Sequence, residues 1–223
     1  MFYFDFSGTL ARWPVLAEGA VYTVLLSAAA MALGLAIGVV GAALRGARSQ
    51  VLRALVAGYV GLIRNTPFLV QIYIVYFGLP SVGLRISALA AGVISLSLYS
   101  GAYITEIVRA GIESIERGQI EAARSLGLSP VSTFRHVVLK PALAAIYPSL
   151  TSQFILIMLA SSIVSAISIP ELTGAANDIQ GLTFRSLEAF LIVAVLYVAL
   201  TALFNIAFAA FGRSAFAFRY AGR

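Results

Sequence analysis

Long apolar stretches without a charged residue alternate with short polar connections along this chain. About 20 apolar residues in an α-helix, at 1.5 Å per residue, cross a hydrocarbon core that is roughly 30 Å thick. Five stretches reach that length: residues 19–44, 65–84, 86–105, 141–170 and 189–212. Because backbone groups in lipid must hydrogen-bond within their own segment, these stretches predict five membrane-spanning helices.

The predicted helices are somewhat longer than the charge-free stretches, because flanking apolar residues extend them. The second, for example, continues back across the single charge of Arg64. We place the helices at about 19–44, 52–80, 86–110, 138–168 and 188–212. The sequence therefore predicts one all-α transmembrane domain over residues 1–223, a five-helix bundle with a polar loop at about 111–137.

The composition agrees with a membrane protein and excludes an ordinary soluble one. Hydrophobic residues make up 61% of the chain and charged residues 11%, whereas soluble domains carry about 25% charged residues. The net charge of +6 does not indicate nucleic-acid binding, because most of the basic residues lie at the ends of apolar segments. The chain has no cysteine, so no disulfide is expected.

The uneven distribution of Lys and Arg between the two sets of connections predicts the orientation. Eleven lie on one side: Arg45, Arg48, Arg53, Arg109, Arg117, Arg124, Arg135, Lys140, Arg213, Arg219 and Arg223. Three lie on the other: Arg12, Arg85 and Arg185. Since loops rich in positive residues stay in the cytoplasm, the N-terminus is predicted to be periplasmic and the C-terminus cytoplasmic.

The long cytoplasmic loop contains signals for a short helix followed by a second helix. Gly127 suits the left-handed position that ends a helix. Ser129 is a good N-cap and Pro130 a good first residue for the next helix. Ala122 and Ala123 offer a small-residue face that a partner could approach closely, but the residues alone leave an ordinary solvated loop equally open.

Two charged residues fall well inside predicted helices, where charge is costly and suggests a function. Arg64 and Glu106 could contact a substrate. They could also be satisfied structurally, either by pairing with each other or by pairing Glu106 with Arg109 one turn away. Both lie toward cytoplasmic helix ends, where a long side chain can reach the polar interface.

Other polar residues are further candidates for a substrate path. Pro67 is expected to kink the second helix after Thr66, and Gln71, about one turn on, could face the path. On the fourth helix Gln153, Ser161 and Ser162 are the residues that we expect to line a chamber, although serines in membrane helices often serve close packing. These candidates are Arg64, Thr66, Gln71, Glu106, Gln153, Ser161 and Ser162.

No pattern in the chain indicates catalysis. There is no Gly-rich phosphate loop with its lysine, no pair of acids and no His/Cys cluster, so no catalytic or metal-binding residue is predicted. Five helices are few for enclosing a solute path, which favours assembly with a second membrane subunit. An ion-coupled secondary transporter or channel, or a membrane scaffold, remains the alternative.

Four stretches in this order resemble one family. They are IRNTPFLVQ at 63–71, AYITEIVRAGI at 102–112, Glu121-Ala122-Ala123 with Gly127, and Pro170-Glu171-Leu172. They are similar to the membrane subunits of polar amino-acid ABC importers, the histidine/glutamine/glutamate permease-like family with an EAA loop. The likeness covers roughly residues 18–205.

The resemblance implies a type I ABC importer fold in the bacterial inner membrane. Two permease subunits, identical or homologous, would sit on two ATPase subunits that bind ATP and Mg, and a periplasmic binding protein would deliver the amino acid. This chain would itself bind no cofactor and no nucleic acid. The loop would form a coupling helix between helices 3 and 4, and its expected contacts with the ATPase are Gln119, Glu121, Ala122, Ala123, Arg124, Leu126 and Gly127.

Overall fold

A computed structural model describes residues 3–216, and this part of the chain is helical with no strand. The helices are α1 (Ser7–Leu10), α2 (Trp13–Arg45), α3 (Gln50–Arg64), α4 (Phe68–Tyr73), α5 (Leu79–Ser81), α6 (Ala88–Glu113), α7 (Arg117–Ser125), α8 (Pro130–Thr133), α9 (Leu139–Ala160), α10 (Leu172–Thr183) and α11 (Ser186–Ala215). Single π-helical turns at Ile74–Gly78 and Phe134–Val138 join α4 to α5 and α8 to α9, and a 3₁₀ helix at Ser161–Ile167 extends α9.

Four of these segments are long and apolar enough to cross a membrane, namely Trp13–Arg45, Ala88–Glu113, Pro130–Ile167 and Ser186–Ala215. The helices Gln50–Arg64 and Phe68–Ser81 make a fifth if counted as one broken span, and they meet at an angle of 108°. The predicted all-α membrane bundle is confirmed.

The structure differs from the sequence prediction mainly at the helix ends. The first spanning helix begins at Trp13, because Pro14 suits a first turn and Glu18 lies exposed on its surface. The helix after the polar loop begins at Pro130, so the loop predicted at 111–137 is shorter. The second predicted helix is two helices rather than one kinked helix, and α10 falls in a region where no helix was predicted.

Glycines on α2 let that helix approach α6 very closely. A Cβ added to Gly38 would overlap the side chain of Ile104, and one added to Gly34 would overlap Ser100. The Ser100 hydroxyl also donates a hydrogen bond of 3.1 Å to the Ala30 carbonyl across the same interface. Small residues serve helix association in membranes because they permit this backbone approach.

Two apolar clusters hold α4, α9, α10 and α11 against this pair. One joins the central parts of α2, α4, α6 and α9 through Leu26, Ile72, Leu96 and Ile157. In the other, α10 packs against both α2 and α11. The break in the second span and the end of α9 therefore meet the same core.

A matched pair of glycine substitutions tests the α2–α6 interface. We expect Gly38→Ala to lower the free energy of unfolding by about 1–3 kcal/mol, because the added methyl group overfills a packed contact. Gly58→Ala on α3, where nothing lies within 4 Å of the new Cβ, should raise it by about 0.5–1 kcal/mol through helix propensity. Thermal unfolding in detergent measures both, and the same sign for both variants would contradict this account.

Candidate functional site

The polar loop between α6 and α9 contains the short helix α7. Glu116, in extended conformation, precedes it, and the left-handed Gly127 (φ 76°) follows it. The N–H groups of Gly127 and Leu128 donate to the carbonyls of Arg124 and Ala123, at 2.9 and 3.1 Å. The predicted role of Gly127 in ending the helix is confirmed.

The start of the next helix also follows the predicted pattern. The Ser129 hydroxyl accepts a hydrogen bond from the Ser132 N–H at 3.3 Å, and Pro130 occupies the first turn. A proline loses nothing there, because the first N–H groups of a helix have no intrahelical partner. The turn between α7 and α8 is thus set locally.

The two alanines of α7 face different surroundings. Ala123 is 4% exposed on a helix that packs against α8 and the following π-helical turn, whereas Ala122 is exposed. Ala123 is thus covered within the chain, while Ala122 stays accessible to a partner. The expected small-residue docking face is therefore reduced to Ala122.

The rest of the predicted docking set lies on the open side of α7 and the turn after it. Leu126 is 82% exposed and places an apolar side chain next to the polar helix. The exposed members of the predicted set are Gln119, Glu121, Ala122, Arg124, Leu126 and Gly127. Together they form a mixed polar and apolar surface, which suits binding to another protein.

Three side chains form hydrogen bonds with backbone carbonyls where the second span is interrupted. Among the last carbonyls of α3, that of Gly61 accepts the Asn65 backbone N–H at 3.2 Å. The carbonyls after it have no partner within the helix, and lipid offers none. Asn65 Nδ2 donates a hydrogen bond to the Gly61 carbonyl at 2.8 Å, and Thr66 Oγ1 donates one to the Leu62 carbonyl at 2.9 Å. Gln71 reaches back from α4 and donates to the Ile63 carbonyl at 2.8 Å.

Thr66 and Gln71 are thus engaged within their own chain. The same Gln71 Nε2 lies 2.8 Å from Thr66 Oγ1 and 3.0 Å from the Thr66 carbonyl. Gln71 Oε1 remains buried without a partner among the described residues, as does Ser95 Oγ. Gln71, Ser95 and Thr66 are the polar residues in the lining of a cavity of about 180 Å³ that is otherwise apolar.

Glu106 is the centre of an ionic network at the cytoplasmic part of α6. Its Oε2 accepts hydrogen bonds from Arg109 Nε at 3.1 Å and Nη2 at 2.7 Å, and Arg109 also pairs with Glu113. Arg45 Nη2 lies 3.9 Å from the other oxygen, Oε1. Of the two pairs that the sequence left open, the structure contains the one between Glu106 and Arg109.

Arg64 takes a different position, although it borders the same space. Its guanidinium carbon lies 5.2 Å from the centre of the Tyr103 ring, within range of a cation–π interaction. Arg64, Tyr103 and Glu106 line a cavity of about 370 Å³ whose other wall is formed by α9. The structure therefore brings together two of the predicted path residues.

The predicted residues of the fourth span lie elsewhere. Gln153 is buried on α9, and Ser161 and Ser162 begin the 3₁₀ helix, where their hydroxyls donate to the Met158 and Leu159 carbonyls, each at 2.7 Å. Ser161 is fully buried, so it does not face a chamber in this conformation. None of the three lines either cavity described above.

Glu171 is a fully buried acid, which the sequence identified only as part of the family-like stretch Pro170-Glu171-Leu172 and not as a functional residue. Its carboxylate accepts hydrogen bonds from the N–H groups of Thr173 and Gly174, at 3.0 and 2.8 Å, and from the Tyr197 hydroxyl at 2.7 Å. It thereby caps α10 and ties that helix to α11, while Thr23 of α2 lies 3.5 Å away. The sequence signal that could have identified Glu171 is an acidic residue directly after Pro170, between two apolar stretches.

Comparison with known proteins gives a family match over most of the chain. The model of the family described as "Binding-protein-dependent transport system inner membrane component" matches residues 34–216. This range includes the polar loop, the broken span and Glu171.

Individual relatives and a solved structure agree with that match. The glutamine transport system permease protein GlnP of Escherichia coli (strain K12) is 36% identical over 200 residues, which are 89% of this chain and 91% of the relative. The probable glutamine ABC transporter permease protein GlnM of Bacillus subtilis (strain 168) is 35% identical over 184 residues, or 82% and 85%. A crystal structure of an amino acid ABC transporter with histidines has a TM-score of 0.90 at 35% identity, covering 96% of this chain and 100% of that one.

Replacing Gln71 tests its role at the break. We expect Gln71→Leu to lower the free energy of unfolding by about 1–3 kcal/mol, because the partly buried carbonyls of Ile63 and Thr66 lose this donor. Gln71→Glu should do the same, since a carboxylate cannot donate, whereas Leu in place of the exposed Gln50 should have little effect. Thermal unfolding in detergent is the measurement, and an unchanged midpoint for both Gln71 variants would refute the assignment.

The cap formed by Glu171 makes a second prediction for stability. Glu171→Leu leaves the N–H groups of Thr173 and Gly174 without an acceptor, while the Tyr197 hydroxyl keeps its contact with Thr173 Oγ1 at 3.1 Å. The change should cost about 1–3 kcal/mol. Glu171→Gln keeps an acceptor oxygen and should cost less. Unfolding curves of the two variants, with Glu18→Leu and Glu18→Gln at an exposed position as controls, decide the point; equal losses for both Glu171 variants would count against the cap.

Proposed function

Since this chain belongs to the family of binding-protein-dependent transport system inner membrane components, we propose that it is the permease subunit of an ATP-driven importer of amino acids. The relatives named for glutamine transport and the solved amino acid transporter support this substrate class. Family membership favours this function over an ion-coupled secondary transporter or a channel.

The observation that carries the proposal is the surface of α7. A short helix protrudes between two spans on the side rich in Lys and Arg, and its Glu121, Ala122 and Leu126 are exposed. Leu126 supplies an apolar contact and Glu121 a charge at the rim, as protein interfaces commonly combine them. We assign this surface to a cytoplasmic ATPase subunit, with Gln119, Arg124 and Gly127 as further contacts and Ala123 as internal support.

The remaining parts of the transporter follow from the same assignment. A second permease subunit, identical or homologous, completes the membrane part, two ATPase subunits bind ATP and Mg, and a periplasmic protein delivers the amino acid. The chain itself supplies no catalytic group and holds no cofactor. Its part is to transmit the motion of the ATPases to the spanning helices.

We also propose a substrate path past the polar residues of the bundle. Arg64 and Glu106 border the larger cavity and are its charged groups. Thr66 and Gln71 shape the path by fixing the angle between α3 and α4. Gln153, Ser161 and Ser162 would reach the path only if the end of α9 rearranges during transport.

Uptake into proteoliposomes tests the function. The chain would be co-expressed with the ATPase and permease genes next to its own, and radiolabelled amino acids offered with the binding protein outside and ATP inside. We expect ATP-dependent uptake of one chemical group of amino acids. Uptake that follows an ion gradient and ignores ATP would overturn the proposal.

A charge reversal in the same assay tests the coupling surface. Glu121→Lys should reduce uptake on the order of tenfold, the equivalent of about 1.4 kcal/mol of lost interaction, without affecting membrane insertion. Glu116→Lys makes the same charge change at the N-cap, outside the helix, and should retain most of the uptake. Normal transport by Glu121→Lys would argue strongly against coupling through α7.

A further inference from the structure

The cavity between α6 and α9 has opposite charges on its walls. Its volume is about 370 Å³. Its polar lining residues are Arg64, Tyr103, Glu106, Ser114 and Ser149, and the others are small or apolar. This volume is at the lower end of the range for small-molecule sites. Ser114 follows the last residue of α6, so the cavity extends to the cytoplasmic end of that helix.

Arg64 has hydrogen-bonding capacity to spare. Among residues 3–216 its guanidinium contacts the Tyr103 ring, but no carboxylate lies within ion-pair distance of it and no group accepts a hydrogen bond from it. An arginine guanidinium presents several donors in a planar fork that matches a carboxylate. The ring of Tyr103 positions the Arg64 guanidinium at the cavity through a cation–π contact, which does not use the N–H groups of the guanidinium.

One carboxylate oxygen of Glu106 accepts hydrogen bonds from Arg109, and the other accepts no hydrogen bond among the described residues. Its Oε2 accepts both hydrogen bonds from Arg109, while Oε1 faces Arg45 at 3.9 Å, beyond hydrogen-bond distance. An ammonium group in the cavity could therefore hydrogen-bond to Oε1 without displacing Arg109.

The local charges also leave an unbalanced positive charge. Three arginines, Arg45, Arg64 and Arg109, surround two carboxylates, Glu106 and Glu113. Arg45 Nε is in addition buried without a partner in the described part of the chain. A ligand carboxylate would find its counter-charge in Arg64, and an ammonium group of the same ligand would face Glu106.

We propose that this cavity binds the zwitterionic backbone of an amino acid, with its carboxylate on Arg64 and its ammonium group on Glu106 Oε1. The inference rests on the proposed function and deepens it, because it places a site at the cytoplasmic end of the path, where the transported molecule leaves. The side chain of the amino acid lies against the apolar wall formed by Ile107, Ala145 and Ile146. Because the contacts are to the backbone, amino acids with different side chains bind.

Direct binding tests the site. The complex of this chain with its co-expressed partners, in lipid nanodiscs and without the binding protein, would be titrated with radiolabelled L-glutamine, L-glutamate and L-arginine. We expect more than one of the three to bind, each displaced by its unlabelled form. The N-acetyl derivative lacks the ammonium charge and the methyl ester lacks the carboxylate, so both should displace at least tenfold less well. Equal displacement by either derivative, or no binding of any probe, overturns the proposal.

Variants assign the binding to this cavity. Arg64→Gln and Glu106→Gln should each weaken it at least tenfold, whereas Arg53→Gln, an exposed arginine of α3, should leave it unchanged. Ala145→Phe fills the cavity from α9 without touching either charged residue and should abolish binding while the thermal midpoint of the complex is kept. Wild-type affinity in Arg64→Gln and in Ala145→Phe would refute the site.

The uptake assay separates this inference from the proposed function. If the wild-type complex transports amino acids with ATP but the cavity variants bind like the wild type, the function stands and the site is wrong. If the wild-type complex shows no ATP-dependent uptake, the proposed function fails, whatever binds in the cavity.

Discussion

Hydrocarbon offers the backbone no hydrogen-bond partner, and this constraint explains why the chain is irregular where it is. A continuous helix satisfies its own N–H and C=O groups, but every interruption exposes several of them. At the break of the second span, Thr66 and Gln71 donate to the Leu62 and Ile63 carbonyls that α3 leaves open, and Asn65 adds a second donor at the Gly61 carbonyl. These side chains offset the loss of helical hydrogen bonds at the 108° bend.

The same requirement governs the other end of the bundle. After α9 the chain narrows into a 3₁₀ helix, ends in the left-handed Ser168 (φ 64°) and turns into α10. There the carboxylate of Glu171 replaces the missing acceptors for the first N–H groups of α10 and joins the helix to Tyr197. A buried acid is tolerated at this point because each of its hydrogen bonds replaces one that water would otherwise make.

These interruptions place the polar groups on which transport would depend. Because α3 ends at Arg64, its guanidinium lies at a helix end, free to turn toward the cavity beside α6. The helix α6 contributes Glu106 to that cavity, and three residues after its last turn the exposed helix α7 begins. The ionic network and the surface that we assign to the ATPase therefore lie at the same end of α6.

The sequence by itself determined the elements whose signals are local. Long apolar stretches, positive residues on one side, and Gly127, Ser129 and Pro130 in the loop specify spans, orientation and turns through interactions between near neighbours in the chain. Only the tertiary structure decided that Ala123 is buried while Ala122 is free. The tertiary structure also decided that Glu106 pairs with Arg109 while Arg64 lies against Tyr103. It further decided that the side chains of Thr66, Gln71 and Glu171 form hydrogen bonds with backbone groups. These outcomes depend on which helices pack against each other. The hydrophobic pattern does not predict this packing, because in lipid the outward and inward faces of a helix are both apolar.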